Sequence, residues 1–235
     1  MEIINNFFLT SKQPCSYLEN RAAQFLYAYP STQLNNKIYS QLISQGFRRS
    51  GNDIYKPHCQ ACIACVPSRI NIINFKANRN QKRCLKKNIA IKAIIKPPIF
   101  NPSHYELFLN YQLYRHSEGD MAHASPTHYL DFFNSEWCNT IFVEFFIDQQ
   151  LAAVAIIDQL DNAWSAVYSF FDPKFSENSL GVYIVLWQIE QLKLQQLAFL
   201  YLGFWIKECK KMNYKSNFKP LELLINENWS ECSTP

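Results

Sequence analysis

The stretch from residue 140 to 204 leaves this chain the fewest choices. TIFVEFFID, LAAVAIIDQL and AWSAVYSFFD are three apolar runs rich in β-branched and aromatic residues. They are joined through Asp148-Gln149-Gln150 and Asp161-Asn162, short turns that predict an antiparallel meander. The period then changes. Val182, Leu186, Ile189 and Leu192 recur at helical spacing, which predicts a helix over 179–197, and 198–204 returns to a strand. The class that follows is α+β, an antiparallel or mixed sheet with helices.

The remaining elements are read from their ends. Residues 7–9 and 24–29 predict short strands, with a turn at Pro14 to Tyr17 between them. Asn35 is placed to cap a helix to Ser44, with Leu34, Ile38 and Leu42 on one face and Gly46 just past its end. Phe47 to Tyr55 predicts a hairpin turning at SGND. Strands over 69–75 and 89–95 flank a helix capped by Asn78, and Asn101-Pro102 and Ser125-Pro126 open two further helices, to His116 and Phe133. Hydrophobic content of 48% is enough for a core, and five glycines leave little for flexible linkers. We divide the chain into a small Cys-containing N-terminal unit, 1–97, and a larger domain, 98–235.

Two local compositions carry chemistry. Cys59, Cys62 and Cys65 stand in C-x2-C-x2-C spacing, which lets successive thiolates converge on one metal or cluster. Cys15 in its Pro-flanked turn is the best fourth ligand, Cys84 the next, and His58 a possible substitute; zinc and iron–sulfur both remain open. The alternative is buried thiols in a reduced protein. The second composition is basic. From Ile54 to Tyr105 there is no Asp or Glu, and Arg79, Lys82, Arg83, Lys86 and Lys87 fall on one face of the helix after Asn78. Five like charges without an acidic partner predict a phosphate-facing surface. Residues 205–219 mix Lys207, Lys210, Lys211, Lys215 and Lys219 with Trp205, Tyr214 and Phe218, which suits an unpaired nucleic-acid end. The first fifteen residues show neither a basic leader nor a long apolar run, and 151–157 is too short to span a bilayer. The expectation is a cytoplasmic monomer without a membrane segment.

The order of three antiparallel strands, a helix and a further strand resembles the core of the GNAT acyltransferase fold. In that fold the loop opening the long helix cradles a pyrophosphate with several glycines. Here it is PKFSENSLG, with only Gly181, which argues against acetyl-CoA as donor. A closer resemblance runs from Cys15 to Glu222. P-C-S-Y-L at 14–18, P-H-C-x-x-C-x-x-C-V-P-x-R at 57–69, R-x-Q-K-R at 79–83, S-A-V-Y-S-F-F-D-P at 165–173, S-L-G-x-Y at 179–183 and the run from Tyr201 to Glu222 resemble the blocks of the arginyl-tRNA–protein transferase family. The order and spacing are similar to its bacterial branch, the aspartate/glutamate leucyltransferases. Phe204 stands where the pattern has Tyr, and Lys82 where Arg is common.

The resemblance implies transfer of leucine from leucyl-tRNA to the α-amine of proteins beginning with Asp or Glu, a mark for degradation through the N-degron pathway. No cofactor is required for that chemistry. The amine must be held near the ester carbonyl and the oxyanion stabilised. At the end of the third meander strand, Asp172 and Tyr168 are the expected acid–base groups. Arg79, with Arg83 and Arg69 behind it, is expected to read the acceptor's carboxylate, since guanidinium and carboxylate pair bidentately. Lys82, Lys86, Lys87, Lys210, Lys211, Tyr214 and Lys215 are expected to hold tRNA. Trp164, Val167, Phe170 and Phe171 are candidates for the leucine pocket. Arginyl transfer, a CoA-dependent N-acetyltransferase and a non-catalytic metal-containing RNA-binding module are the alternatives.

Overall fold

A computed structural model describes residues 4–30, 33–117 and 119–232. Strands β1 (Ile4–Leu9), β2 (Gln13–Pro14), β3 (Ala22–Ala23) and β4 (Phe25–Pro30) lead into helix α1 (Asn36–Ser44). The hairpin β5 (Arg48–Ser50) and β6 (Asp53–Pro57) follows, then β7 (Val66–Asn71), helix α2 (Arg79–Lys87) and β8 (Lys92–Lys96). Helices α3 (Pro102–His116) and α4 (Pro126–Phe133) precede the meander β9 (Thr140–Ile147), β10 (Gln150–Leu160) and β11 (Ala163–Phe171). Helix α5 (Leu180–Leu194), β12 (Phe199–Trp205), the short α6 (Lys210–Asn213) and the hairpin β13 (Leu221–Ile225) and β14 (Asn228–Glu231) complete the order.

The α+β class and the mixed sheet stand. Eight strands run β14-β13-β7-β12-β11-β10-β9-β8, and among them only β11 and β12 pair in parallel. A second sheet, β1-β4-β6-β5, is wholly N-terminal. The large sheet takes β7 and β8 from one side of residue 97 and its other strands from the other side, so it spans the expected boundary.

The ends of the elements follow local chemistry. Asn35, Asn78, Asn101 and Ser125 each accept a backbone N–H of the helix they open. Helix α1 closes in a Schellman motif, with Gly46 N–H on Ile43 O at 3.1 Å and Phe47 N–H on Leu42 O at 3.1 Å. Gly46 has φ +87°, and a Cβ there would lie 2.9 Å from Pro67 Cγ. This turn sets the direction in which the following hairpin leaves. The strand expected over 69–75 is Val66–Asn71, because the Asn71 side chain takes the Asn74 N–H and turns the chain. The strand expected over 89–95 is Lys92–Lys96, after a tight turn from Asn88 O to Ile91 N–H. The long helix begins at Leu180 because Ser179 is left-handed, at φ 52°.

Helices cover both faces of the large sheet. On one, α5 buries Leu180, Ile184, Ile189 and Leu192 with Trp164, and Cys84 and Leu85 of α2 pack onto that cluster. On the other, α1 packs with Ala163 and Tyr201, and α3 and α4 pack with Phe170 and Val154. A bulge in β11 changes which residues point where. Ala166 pairs with Ile157 but Tyr168 with Ile156, so Val167 is the extra residue. Trp164 faces α5 before the bulge, whereas Tyr168 and Phe170 after it face α3 and α4.

Candidate active site

The parallel ladder between β11 and β12 is short. It pairs 163–165 with 199–201 and then stops, although β11 continues to Phe171 along β10 and β12 to Trp205 along β7. Both strands bulge where it stops, at Val167 and, from the register of β12 on β7, at Leu202. A ladder that ends inside a sheet leaves backbone acceptors that need partners. Arg48 supplies them from β5. Its Nη2 donates to Ala166 O at 3.1 Å and Val167 O at 3.5 Å, and its Nη1 to Ser165 Oγ at 3.4 Å. The guanidinium lies over Gly203, whose φ is +76°; a Cβ there would meet Arg48 Cζ at 3.1 Å.

Strand alternation sends the adjacent Arg49 the other way, into the core. Its Nε and Nη2 donate to Asp158 Oδ2 and Oδ1 at 2.7 and 2.5 Å, and both side chains are fully buried. Thr140 Oγ1 and Tyr39 OH donate to the same carboxylate at 2.8 and 3.2 Å. This pair fastens the N-terminal hairpin to the meander and so fixes the backbone that presents Arg48.

The surroundings of Arg48 are tyrosines, thiols and a second cation. Burial raises the Tyr55 phenol, which Arg48 partly offsets. Tyr17 is raised further, by burial and then by Tyr55 and Cys65. Lys215 is buried and donates to Phe204 O, with Met212 Sδ at 3.7 Å. Burial, and after it Arg48, lowers the lysine to about 7. Among the described residues no Asp or Glu pairs with Arg48, and none acts on Tyr17, Tyr55, Tyr214 or Lys215.

Two expected assignments are corrected here. Lys215 is not a surface lysine and cannot meet a phosphate, because its ammonium is turned inward onto the Phe204 carbonyl. Arg69 is not available to an acceptor. Its Nε donates to Glu222 Oε2 at 2.7 Å, and its guanidinium is stacked between Phe199 at 3.7 Å and Trp229 at 4.3 Å. The leucine-pocket candidates also divide. Trp164 and Phe170 are buried in separate clusters, leaving Val167 and Phe171 half-buried.

The other expected residues are placed as follows. Tyr168 OH accepts from Gln112 Nε2 at 2.8 Å, and burial pushes the phenol up to about 12. Asp172 caps the turn after β11, accepting the Lys174 N–H at 3.0 Å and pairing with its ammonium at 2.9 Å. Arg79, Lys82, Arg83, Lys86 and Lys87 are exposed on α2, and Lys87 Nζ donates to Glu177 O at 2.8 Å. Helix α2 lies on the α5 face, whereas Arg48 arrives on the α1 face. Lys210, Lys211 and Tyr214 are exposed beside β12. Cys15, His58, Cys59, Cys62 and Cys65 line one cavity of about 320 Å³ with Tyr17 and Arg21. Cys84 is elsewhere, on α2 against Asn88. Burial and the neighbouring Cys15, Cys59 and Cys62 push the Cys65 thiol up to about 12. Among the described residues no three His, Cys, Asp or Glu side chains are gathered closely enough to hold an ion as they stand.

Sequence reasoning missed Arg48. The Arg48-Arg49 pair was the available signal, since consecutive residues of one short strand must serve opposite faces.

The chain that carries this mixed sheet, cysteine-lined cavity and basic helix is placed in a class by comparison with known families. Residues 13–83 match the N-terminal and residues 103–225 the C-terminal family model described as arginine-tRNA-protein transferase. The chain belongs to the arginine-tRNA-protein transferase family. Its place is with the bacterial leucyltransferases. It is 46% identical over 223 residues to the aspartate/glutamate leucyltransferase of Teredinibacter turnerae, covering 94% of this chain and 92% of that one. The corresponding proteins of Marinobacter nauticus and Alcanivorax borkumensis are 42% and 44% identical, over 97% of this chain and 96% and 95% of theirs. Among solved structures, L-PGS from Bacillus licheniformis is similar at TM-score 0.43 and 10% identity, covering 72% of this chain and 51% of that one. No helix among the described residues is long and apolar enough to cross a membrane.

Proposed function

We propose that this protein transfers leucine from leucyl-tRNA to the N-terminal amine of proteins beginning with Asp or Glu. The observation that carries this reading is near full-length identity of 42–46% to relatives named for that activity. The sheet is read as GNAT-like, with transfer at the gap where the β11–β12 ladder ends. There a neutral acceptor amine attacks the leucyl ester carbonyl. The C–N bond forms, the bond to the tRNA 3′ oxygen breaks, and the proton lost by nitrogen ends on that oxygen. Ester becomes amide, so the step needs no ATP. The exposed cations of α2 (Arg79, Lys82, Arg83, Lys86, Lys87) suit the tRNA backbone, and Lys210, Lys211 and Tyr214 suit its end.

The cysteines fit a soft metal or cluster by donor chemistry and by sharing one cavity. Cys15, Cys59, Cys62 and Cys65 would hold zinc or iron–sulfur, which would supply a structural tie for the loop between β6 and β7. The transfer itself uses no step through it. The test of the function is direct. Purified protein is given leucyl-tRNA or arginyl-tRNA and peptides beginning with Asp, Glu or Ala. Leucine should appear on the Asp and Glu peptides alone. Arginine transfer would reassign the donor, and no aminoacyl transfer at all would refute the reading.

A further inference from the structure

We propose that Arg48 is the residue that selects the acceptor, receiving the side-chain carboxylate of its first residue in the gap between β11 and β12. The inference rests on the leucyltransferase reading. A cation withdrawn from water is normally balanced by a carboxylate. Arg49 has Asp158 and Arg69 has Glu222, each with a contact of 2.7 Å or less. Arg48, the residue before Arg49 in the chain, is half-buried too, yet is held only by neutral oxygens of Ser165, Ala166 and Val167. Its Nε–H has no acceptor among the described residues. The nearby Lys215 adds to the deficit of negative charge.

The other arginines fit the task less well. Arg79 and Arg83 stand on α2, on the opposite face of the sheet. Arg21 and Arg115 are exposed, where water and salt screen a pair and weaken discrimination. Among the arginines of the described residues, Arg48 alone combines partial desolvation, a missing counter-charge and a place at the proposed reacting gap. The backbone is shaped to it as well, because any side chain at Gly203 would press on the guanidinium.

The experiment compares kcat/KM for a peptide beginning with Asp against one beginning with Asn, which has the same shape without the charge. The wild-type ratio is measured first; a protein that does not prefer Asp overturns both this inference and the leucyltransferase reading. In Arg48→Gln the ratio should fall roughly 10- to 100-fold, the loss expected for a charge-assisted hydrogen bond. Arg48→Lys keeps the charge and not the fork, so its ratio should lie between the two. It also serves if the Gln variant fails to fold. A wild-type ratio retained in a folded variant overturns the role of Arg48 and leaves the leucyltransferase reading in place. Equal loss for both peptides also overturns it, moving Arg48 to the ester carbonyl or the tRNA end.

Discussion

Asp158→Ala should be among the most damaging single changes in the chain. Asp158 receives two donors from Arg49, at 2.7 and 2.5 Å, one from Thr140 at 2.8 Å and one from Tyr39 at 3.2 Å. Truncation removes the anion and leaves the guanidinium at zero exposure, with neutral partners only: Phe133 O at 3.0 Å, Thr140 Oγ1 at 2.9 Å and Gly51 O at 3.4 Å. Breaking a buried pair from one side costs about 3–5 kcal/mol, and Tyr39 OH also loses its acceptor, worth about 1 kcal/mol more. A loss of about 4–6 kcal/mol is a large part of the ~5–15 kcal/mol that holds an ordinary domain. Urea unfolding followed by tryptophan fluorescence reads it as a fall in midpoint. The double variant Arg49→Met, Asp158→Leu should recover most of the loss, because an apolar pair of similar volume carries no desolvation penalty. A single-variant loss below about 1 kcal/mol, or a double variant no better than the single, would refute the reasoning.

Three further outcomes are expected. Lys82→Ala with Lys86→Ala should weaken tRNA binding and reduce its salt slope by about 1 to 2, checked by filter binding across a salt series; an unchanged slope removes α2 from the interface. Anaerobically purified protein should carry zinc or iron by elemental analysis, lost together in Cys59→Ser and Cys62→Ser; metal-free protein of undiminished stability and activity would return these cysteines to buried thiols. Lys215, lowered to about 7 by burial and by Arg48, couples stability to pH. Between pH 7 and 10.5 the unfolded chain binds the extra proton, so stability rises with pH, at up to about 1.4 kcal/mol per unit. Relative to Lys215→Met, the wild type should gain about 2 kcal/mol from pH 7 to pH 9 in denaturant unfolding. Parallel pH curves for the two would show that the lysine is not held near neutral.

Most of the fold was readable because its signals are local. Asn35, Asn78, Asn101 and Ser125 cap where capping chemistry says they should, and the meander declares itself by short turns between apolar runs. The final hairpin was passed over because LELLI and NWSE turn through Asn226 and Glu227, at φ 48° and 64°, without the glycine that usually marks such a turn. The site was less readable, for a different reason. Lys215 sits in a run that reads as a basic surface, and only tertiary packing turns it onto Phe204. Arg69 follows the cysteine motif like a substrate-binding residue, but Glu222, 153 positions later, claims it. Partnering at such separations has no local signature. The same holds for Arg48, whose position depends on two bulges and a ladder that ends early.

The place of β7 has a consequence for how the chain is made. It lies between β12 and β13 and pairs with both, at Tyr201↔Arg69 and Glu222↔Arg69, yet leaves the ribosome more than a hundred residues before either. Pairings this distant close late and slowly. The N-terminal segment must therefore wait, with both edges of a central strand open, until residues 199–225 have been synthesised. The closing contacts also frame the far side of the gap that holds Arg48. A nascent or truncated chain thus lacks β12 and β13 around β7, and the surroundings of Arg48 are complete only when the last strands are threaded in.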